Sequence, residues 1–108
     1  MRGFAAGRGR VLDLVFLAAA ESALQEIYGY LEELQPGGGD GFLEALDGAL
    51  TQIRTFPRSG SAFHARYRRL LISGYRYGII YSIEGHRVLV TRLVDLRQNP
   101  ETIRQSLF

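Results

Sequence analysis

The chain of 108 residues has no cysteine and no lysine, so all thirteen of its basic residues are arginine. Without cysteine there is no disulfide scaffold, no iron–sulfur cluster and no thiolate zinc site. Without lysine there is no amine base, no Schiff base and no P-loop phosphate ligand. Arginine stays protonated at any ordinary pH, so it can clamp an anion but cannot relay a proton. GC-rich codons favour arginine, alanine and glycine, so part of this bias is expected from genome composition alone. Long apolar runs are also missing. Val11 to Ala20 follows three arginines but is interrupted by Asp13 and ended by Glu21. It is too short and too charged for a signal peptide, and nothing approaches the roughly 20 apolar residues of a membrane helix. These absences predict a soluble cytoplasmic protein. At this length one small domain with a modest core is expected.

Charge is unevenly distributed. Residues 1–10 carry a formal +3, residues 11–53 carry −8 with no arginine, and residues 54–108 carry +7. An acidic first half and a basic second half fit a partner that is a polyanion or an acidic protein, or two opposing faces of one domain.

Residues 1–10, with three glycines and no apolar period, predict a flexible tail, and 11–108 a single domain. Val11, Leu12, Leu14, Val15 and Phe16 predict a buried strand. From Ala18, apolar residues at Ala20, Leu24, Ile27, Tyr28, Leu31 and Leu34 recur every three or four positions, predicting a helix of about four turns. Pro36 to Gly41 ends it, and Asp40 is the expected N-cap of a second helix bearing Phe42, Leu43, Leu46, Ala49, Leu50 and Ile53. A glycine-rich loop before a helix can cradle phosphate, but no Gly-Lys-Ser/Thr follows and Asp40 would repel the anion.

After the Phe56-Pro57-Arg58-Ser59-Gly60 turn the period becomes two. Tyr67–Ser73 predicts a strand, with Arg68, Leu70 and Ile72 on one face. Ser73-Gly74 reads as a tight hairpin connection. The next strand places Tyr75, Tyr77, Ile79, Tyr81 and Ile83 on one face, expected to be core, although such a stripe could also stack bases. Arg76 lies on the opposite face, free for an anion or paired with the acidic helices. Arg87–Asp95 is a third strand, with Val88, Val90, Arg92 and Val94 sharing a face. Asn99 caps a short helix with Pro100 at its first position. The fold class is α+β: an N-terminal strand, an antiparallel helical hairpin on a mainly antiparallel sheet of about four strands, and a short C-terminal helix.

No His/Asp/Glu cluster has metal-ligand spacing, so neither metal nor cofactor is expected. His64 and His86 read as solvated loop residues, and Ser59, Ser61 and Ser73 have no evident triad partners.

The order of elements, with Leu24-x-x-Ile27-x-x-Tyr30, Phe56-Pro57-x-x-Gly60, Tyr67-Arg68-Arg69-Leu70, Gly74-Tyr75-Arg76 and Ile80-Tyr81, resembles the ParE/RelE superfamily of bacterial type II toxins. Ala23 stands where that family usually has aspartate. The resemblance covers roughly residues 10–100. It implies a plasmid-stabilisation toxin neutralised by a cognate antitoxin, in a possible hetero-oligomer, and acting on DNA gyrase (ParE-like) or on ribosome-bound mRNA (RelE-like). The RelE pattern of two lysines, two arginines and a tyrosine carries onto Arg68 and, with a one-residue gap, Leu70, then Arg76, Arg97 and Ile103. Arg68, Arg76 and Arg97 would remain for a ribonuclease, without its proton-transfer groups. The resemblance therefore implies a ParE-like gyrase binder, whose candidate surface is Arg68, Arg69, Arg76, Arg92 and Arg97, with Arg104 in the C-terminal segment. The alternatives are a RelE-like ribosome-dependent endoribonuclease and a non-toxic partner- or nucleic-acid-binding module on the same fold.

Overall fold

A computed structural model describes residues 12–107. The flexible tail expected at residues 1–10 and the start of the first strand at Val11 lie outside the described residues. Eight elements follow: β1 (Asp13–Phe16), α1 (Ala18–Leu34), α2 (Gly38–Thr55), β2 (Ser61–His64), β3 (Tyr67–Leu71), β4 (Tyr77–Glu84), β5 (Arg87–Asp95) and α3 (Pro100–Gln105). The sheet has five strands in the order β1-β5-β4-β3-β2, with β1 parallel to β5 and the other pairs antiparallel. The additional strand is β2. Its four residues, two of them exposed, carry too little alternation to show in the sequence. Among the described residues no helix is long and apolar enough to cross a membrane.

The two long helices cover one face of the sheet. Ile27 of α1 and Phe42, Leu46, Ala49 and Ile53 of α2 are buried against Tyr77, Ile79, Tyr81, Val88 and Val90. Leu34, at the end of the predicted apolar stripe, is instead 63% exposed. Asp40 is not the N-cap. Gly37, in the left-handed conformation, holds that position, and the helix begins two residues ahead of Asp40. The reason is how closely the two helices approach. A Cβ at Gly39 would stand 2.6 Å from the Tyr28 ring, so only glycine lets the first turn of α2 cross α1 there. Asp40 instead accepts a hydrogen bond from the Tyr28 hydroxyl at 2.9 Å, and Glu32 accepts one from the Gly39 N–H.

On the other face α3 covers a smaller cluster of Ile80, Val94 and Ile103, bordered by Phe63, Tyr67 and Leu107. Asn99 caps α3 as its sequence predicts, accepting from the Glu101 N–H at 2.9 Å. The predicted parity of β5 fails midway. Tyr81 pairs with Val90 but Ile80 pairs with Arg92, so Thr91 is the extra residue of a bulge. A bulge exchanges inward and outward positions beyond it. Val88 and Val90 therefore join the helix-side core while Arg92 and Val94 turn to the α3 side, separating Arg92 from the face that strict alternation assigned it. The β3–β4 connection is also longer than two residues. Ile72 N–H donates to Tyr77 O, and Tyr75 N–H closes a turn on Ile72 O, with Gly74 at φ +84°.

Candidate functional site

At the end of the sheet where β5 finishes, the register sets Asp95 opposite Tyr77, next to Arg76 in the β3–β4 connection. The backbone fixes this corner, because Leu96 N–H donates to Arg76 O at 2.7 Å. The Asp95 carboxylate accepts from Arg76 Nε at 3.1 Å, from the Arg97 backbone N–H at 2.9 Å and from the Arg97 guanidinium at 2.9–3.3 Å. One acid thus organises two guanidiniums that would otherwise repel each other. The Arg97 side chain, its backbone N–H and then Arg76 hold the Asp95 carboxyl well below the usual carboxylate range, against the opposing effect of burial. Arg76 is raised above its ordinary value by Tyr30 first and Asp95 second, and Arg97 is raised chiefly by Asp95.

Arg76 is also held by stacking. Its guanidinium carbon lies 5.6 Å from the Tyr30 ring centre and 5.2 Å from that of Tyr77. With Glu26, Ile27 and Arg97 these residues line an open recess of about 310 Å³. The Arg97 side chain, 71% exposed, reaches furthest into solvent. Arg76 therefore pairs with Asp95 of β5 and not with the acidic helices, although Tyr30 of α1 completes its setting.

The six candidate arginines do not form one surface. Only Arg76 and Arg97 meet in this recess. Arg68 ties down the loop before β2, its Nη1 donating to Gly60 O at 2.8 Å and Arg58 O at 3.4 Å. Arg69 and Arg104 share the Phe63 ring, at 5.3 and 4.8 Å from its centre, on the α3 side. Arg92 donates to Thr91 O and to Ser106 O, the latter at 2.8 Å, holding the end of α3 against the sheet. The tyrosine stripe is core: Tyr77 and Tyr81 are buried and Tyr75 packs against them. His64 lies in strand β2 and not in a loop, and His86 is exposed in the β4–β5 turn. Leu70 packs on the main core, and Ile103 is 4% exposed beneath α3. Among the described residues no group of three His, Asp or Glu is placed to hold a metal.

Asp95 and Glu26 were not singled out by sequence reasoning, and Tyr30 entered only as a position of the α1 motif, with no role at a site. The available signal was an aspartate closing a strand two residues before an arginine, a spacing that lets one carboxylate take both the side chain and the backbone N–H of that arginine. This pairing has a pH signature. A depressed folded pKa gives stability that is fully present above the unfolded carboxylate value of about 3.9 and lost as pH falls toward the folded value. In urea unfolding, wild type should exceed Asp95→Asn by about 1 kcal/mol at pH 6. The gap should begin to narrow at about pH 4 and be clearly smaller at pH 2.5; a gap unchanged at pH 2.5 would show that the charge of Asp95 is not its source.

A family model described as the ParE toxin of type II toxin–antitoxin system, parDE, matches residues 14–100. No curated protein matches the chain. Among solved structures, one titled as the chromosomal ParDE TA system from P. aeruginosa superposes with a TM-score of 0.70 at 13% identity, covering 81% of this chain and 98% of that one. At that identity the likeness is one of fold. The α+β order with its helical hairpin, five-stranded sheet and short C-terminal helix agrees with it. On the family match across most of its length, the chain belongs to the ParE toxin family of type II toxin–antitoxin systems.

Proposed function

We propose that this toxin inhibits growth by binding DNA gyrase through the Arg76–Asp95–Arg97 corner, and that a cognate antitoxin neutralises it in the cytoplasm. The observation that carries the reading is the fixing of Arg76, gripped through Nε by Asp95 and set between two tyrosine rings beside a solvent-facing Arg97. Preorganised arginine next to aromatic surface is a pattern of protein-binding hot spots. Hydrolysis of mRNA needs a group that moves a proton, and arginine is a poor one. The positions where a RelE-like enzyme would place its second lysine and its tyrosine are Leu70 and Ile103, both packed in apolar clusters. An antitoxin helix has a seat on the outer side of the helical hairpin, where Leu24, Gln25, Tyr28 and the partly exposed Leu43 line a shallow depression of about 330 Å³.

The chain should inhibit supercoiling by purified gyrase while leaving ribosome-bound mRNA intact. Arg76→Ala/Arg97→Ala should lose at least tenfold in inhibition with its fold retained. Cleaved mRNA with unaffected supercoiling would assign the ribonuclease chemistry instead. Unchanged growth on expression without an antitoxin would indicate a non-toxic binding module.

A further inference from the structure

The excess positive charge of residues 54–108 is concentrated at one place in the fold. Arg58 from the loop before β2, Arg66 from the β2–β3 turn and Arg68 from β3 line a recess of about 240 Å³. Ala62, Ala65 and Tyr67 form much of the rest of its wall, and among the described residues lining it there is no carboxylate. Arg68 is fixed by the carbonyls of Gly60 and Arg58, which engage only its Nη1. Arg66 lies over the Tyr67 ring at 5.0 Å, and its contact with Glu84 is long, 3.7 Å between two exposed side chains. Such a pair contributes little and leaves the charge available. The turn that carries Arg66 is strained, since Ala65 has φ +50°, the only positive φ at a non-glycine position among the described residues. A left-handed alanine costs on the order of 1 kcal/mol, and strain of this kind concentrates at ligand sites.

Three guanidiniums around one recess repel one another, and an anion relieves that repulsion. The volume lies below the roughly 300–1,000 Å³ of pockets for drug-sized ligands, so it admits a small group and not a whole cofactor. Guanidinium forks match the paired oxygens of phosphate. We propose that this recess binds a phosphate group, supplied by a nucleic-acid backbone or as free phosphate. The site is separate from the Arg76–Arg97 corner and does not depend on gyrase being the target.

The test titrates the full chain, at 50 mM salt, with inorganic phosphate, a short duplex DNA, a duplex RNA of the same length, and polyglutamate of matched charge. Arginine side-chain NMR signals and fluorescence anisotropy report binding. Arg58→Gln/Arg66→Gln changes two exposed side chains and leaves Arg68, which secures the loop, in place. Arg87→Gln, an exposed arginine outside the recess, is the control. Salt-sensitive duplex binding that weakens at least tenfold in the double variant and is unchanged in Arg87→Gln supports a backbone phosphate, and the DNA and RNA arms identify which. Millimolar inorganic phosphate shifting the Arg58, Arg66 and Arg68 signals, with no duplex binding, supports free phosphate. Polyglutamate binding as tightly as the duplexes would reassign the recess to an acidic protein. Affinity unchanged in the double variant, or no binding of any phosphate probe, overturns the proposal.

Discussion

Gly60→Ala is expected to cost the fold about 2–4 kcal/mol, a large share of the 5–15 kcal/mol of a small domain. The backbone at Gly60 is not left-handed, so the cost comes from space. A Cβ there would stand 2.6 Å from the Tyr81 hydroxyl, 2.8 Å from its ring and 3.0 Å from Arg69 O. Tyr81 is fully buried in β4 and cannot swing away, because its hydroxyl donates to Pro57 O at 2.7 Å and accepts from Gly60 N–H at 2.9 Å. Displacing it leaves buried polar groups unpaired, at about 1–3 kcal/mol each, in addition to the overpacking. Tyr81→Phe alone should cost about 1–2 kcal/mol. Gly60→Ala in the Tyr81→Phe background should then cost at least 1 kcal/mol less than in wild type, since the nearest atom of the clash is gone. Urea unfolding of the four proteins measures this coupling. Strict additivity would mean that the hydroxyl does not hold the loop. The same contacts give a physical reason for Phe56-Pro57-x-x-Gly60 and Ile80-Tyr81 occurring together: one side chain bolts the α2–β2 loop to the centre of the sheet.

Where the sequence was legible, one periodicity was enough. The stripes of α1 and α2, the odd-numbered core face of β4 and the Asn99-Pro100 start of α3 each follow from spacing or capping alone. Where it was not, the deciding contact joins residues far apart. The N-terminus of α2 is set by Gly39 against Tyr28 and not by the best capping side chain in the loop. The inward face of β5 changes at Thr91, and nothing in Arg87–Asp95 taken alone reports a bulge that exists only in its register with β4. For the candidate site, the strand parity and the family resemblance put forward Arg76 and Arg97 only as two of six arginines. Neither signal could identify which of the thirteen arginines come together, because that depends on the fold. Arg92 and Arg68 are engaged by backbone carbonyls, Arg69 and Arg104 by one phenylalanine ring, and only the tertiary fold brings Asp95, Tyr30 and Arg76 to one corner.

Phe42→Ala should damage both the fold and the corner that carries Arg76. Phe42 is fully buried on α2, with its ring edge-on to Tyr75 at 5.3 Å and to Tyr77 at 5.6 Å. Removing a buried phenylalanine side chain costs about 3–5 kcal/mol, which in a domain of this size lowers Tm by well over about 10 °C. The functional consequence runs through Tyr77, whose other neighbour is the Arg76 guanidinium at 5.2 Å. With the Phe42 ring gone, Tyr77 can tilt into the cavity, and Arg76 loses one of the two rings that position it. Phe42→Leu separates the two effects. It fills most of the space, so stability should fall by only about 1–2 kcal/mol. It cannot reproduce the edge-to-face packing, worth about 0.5–1.5 kcal/mol per pair. With gyrase bound at this corner as proposed, inhibition by folded Phe42→Leu should drop severalfold, while Tyr77→Phe, which keeps both rings, stays close to wild type. If Phe42→Leu keeps full inhibition despite its lower stability, the aromatic stack supports the core alone, and Arg76 is positioned by Asp95 and Tyr30 without it.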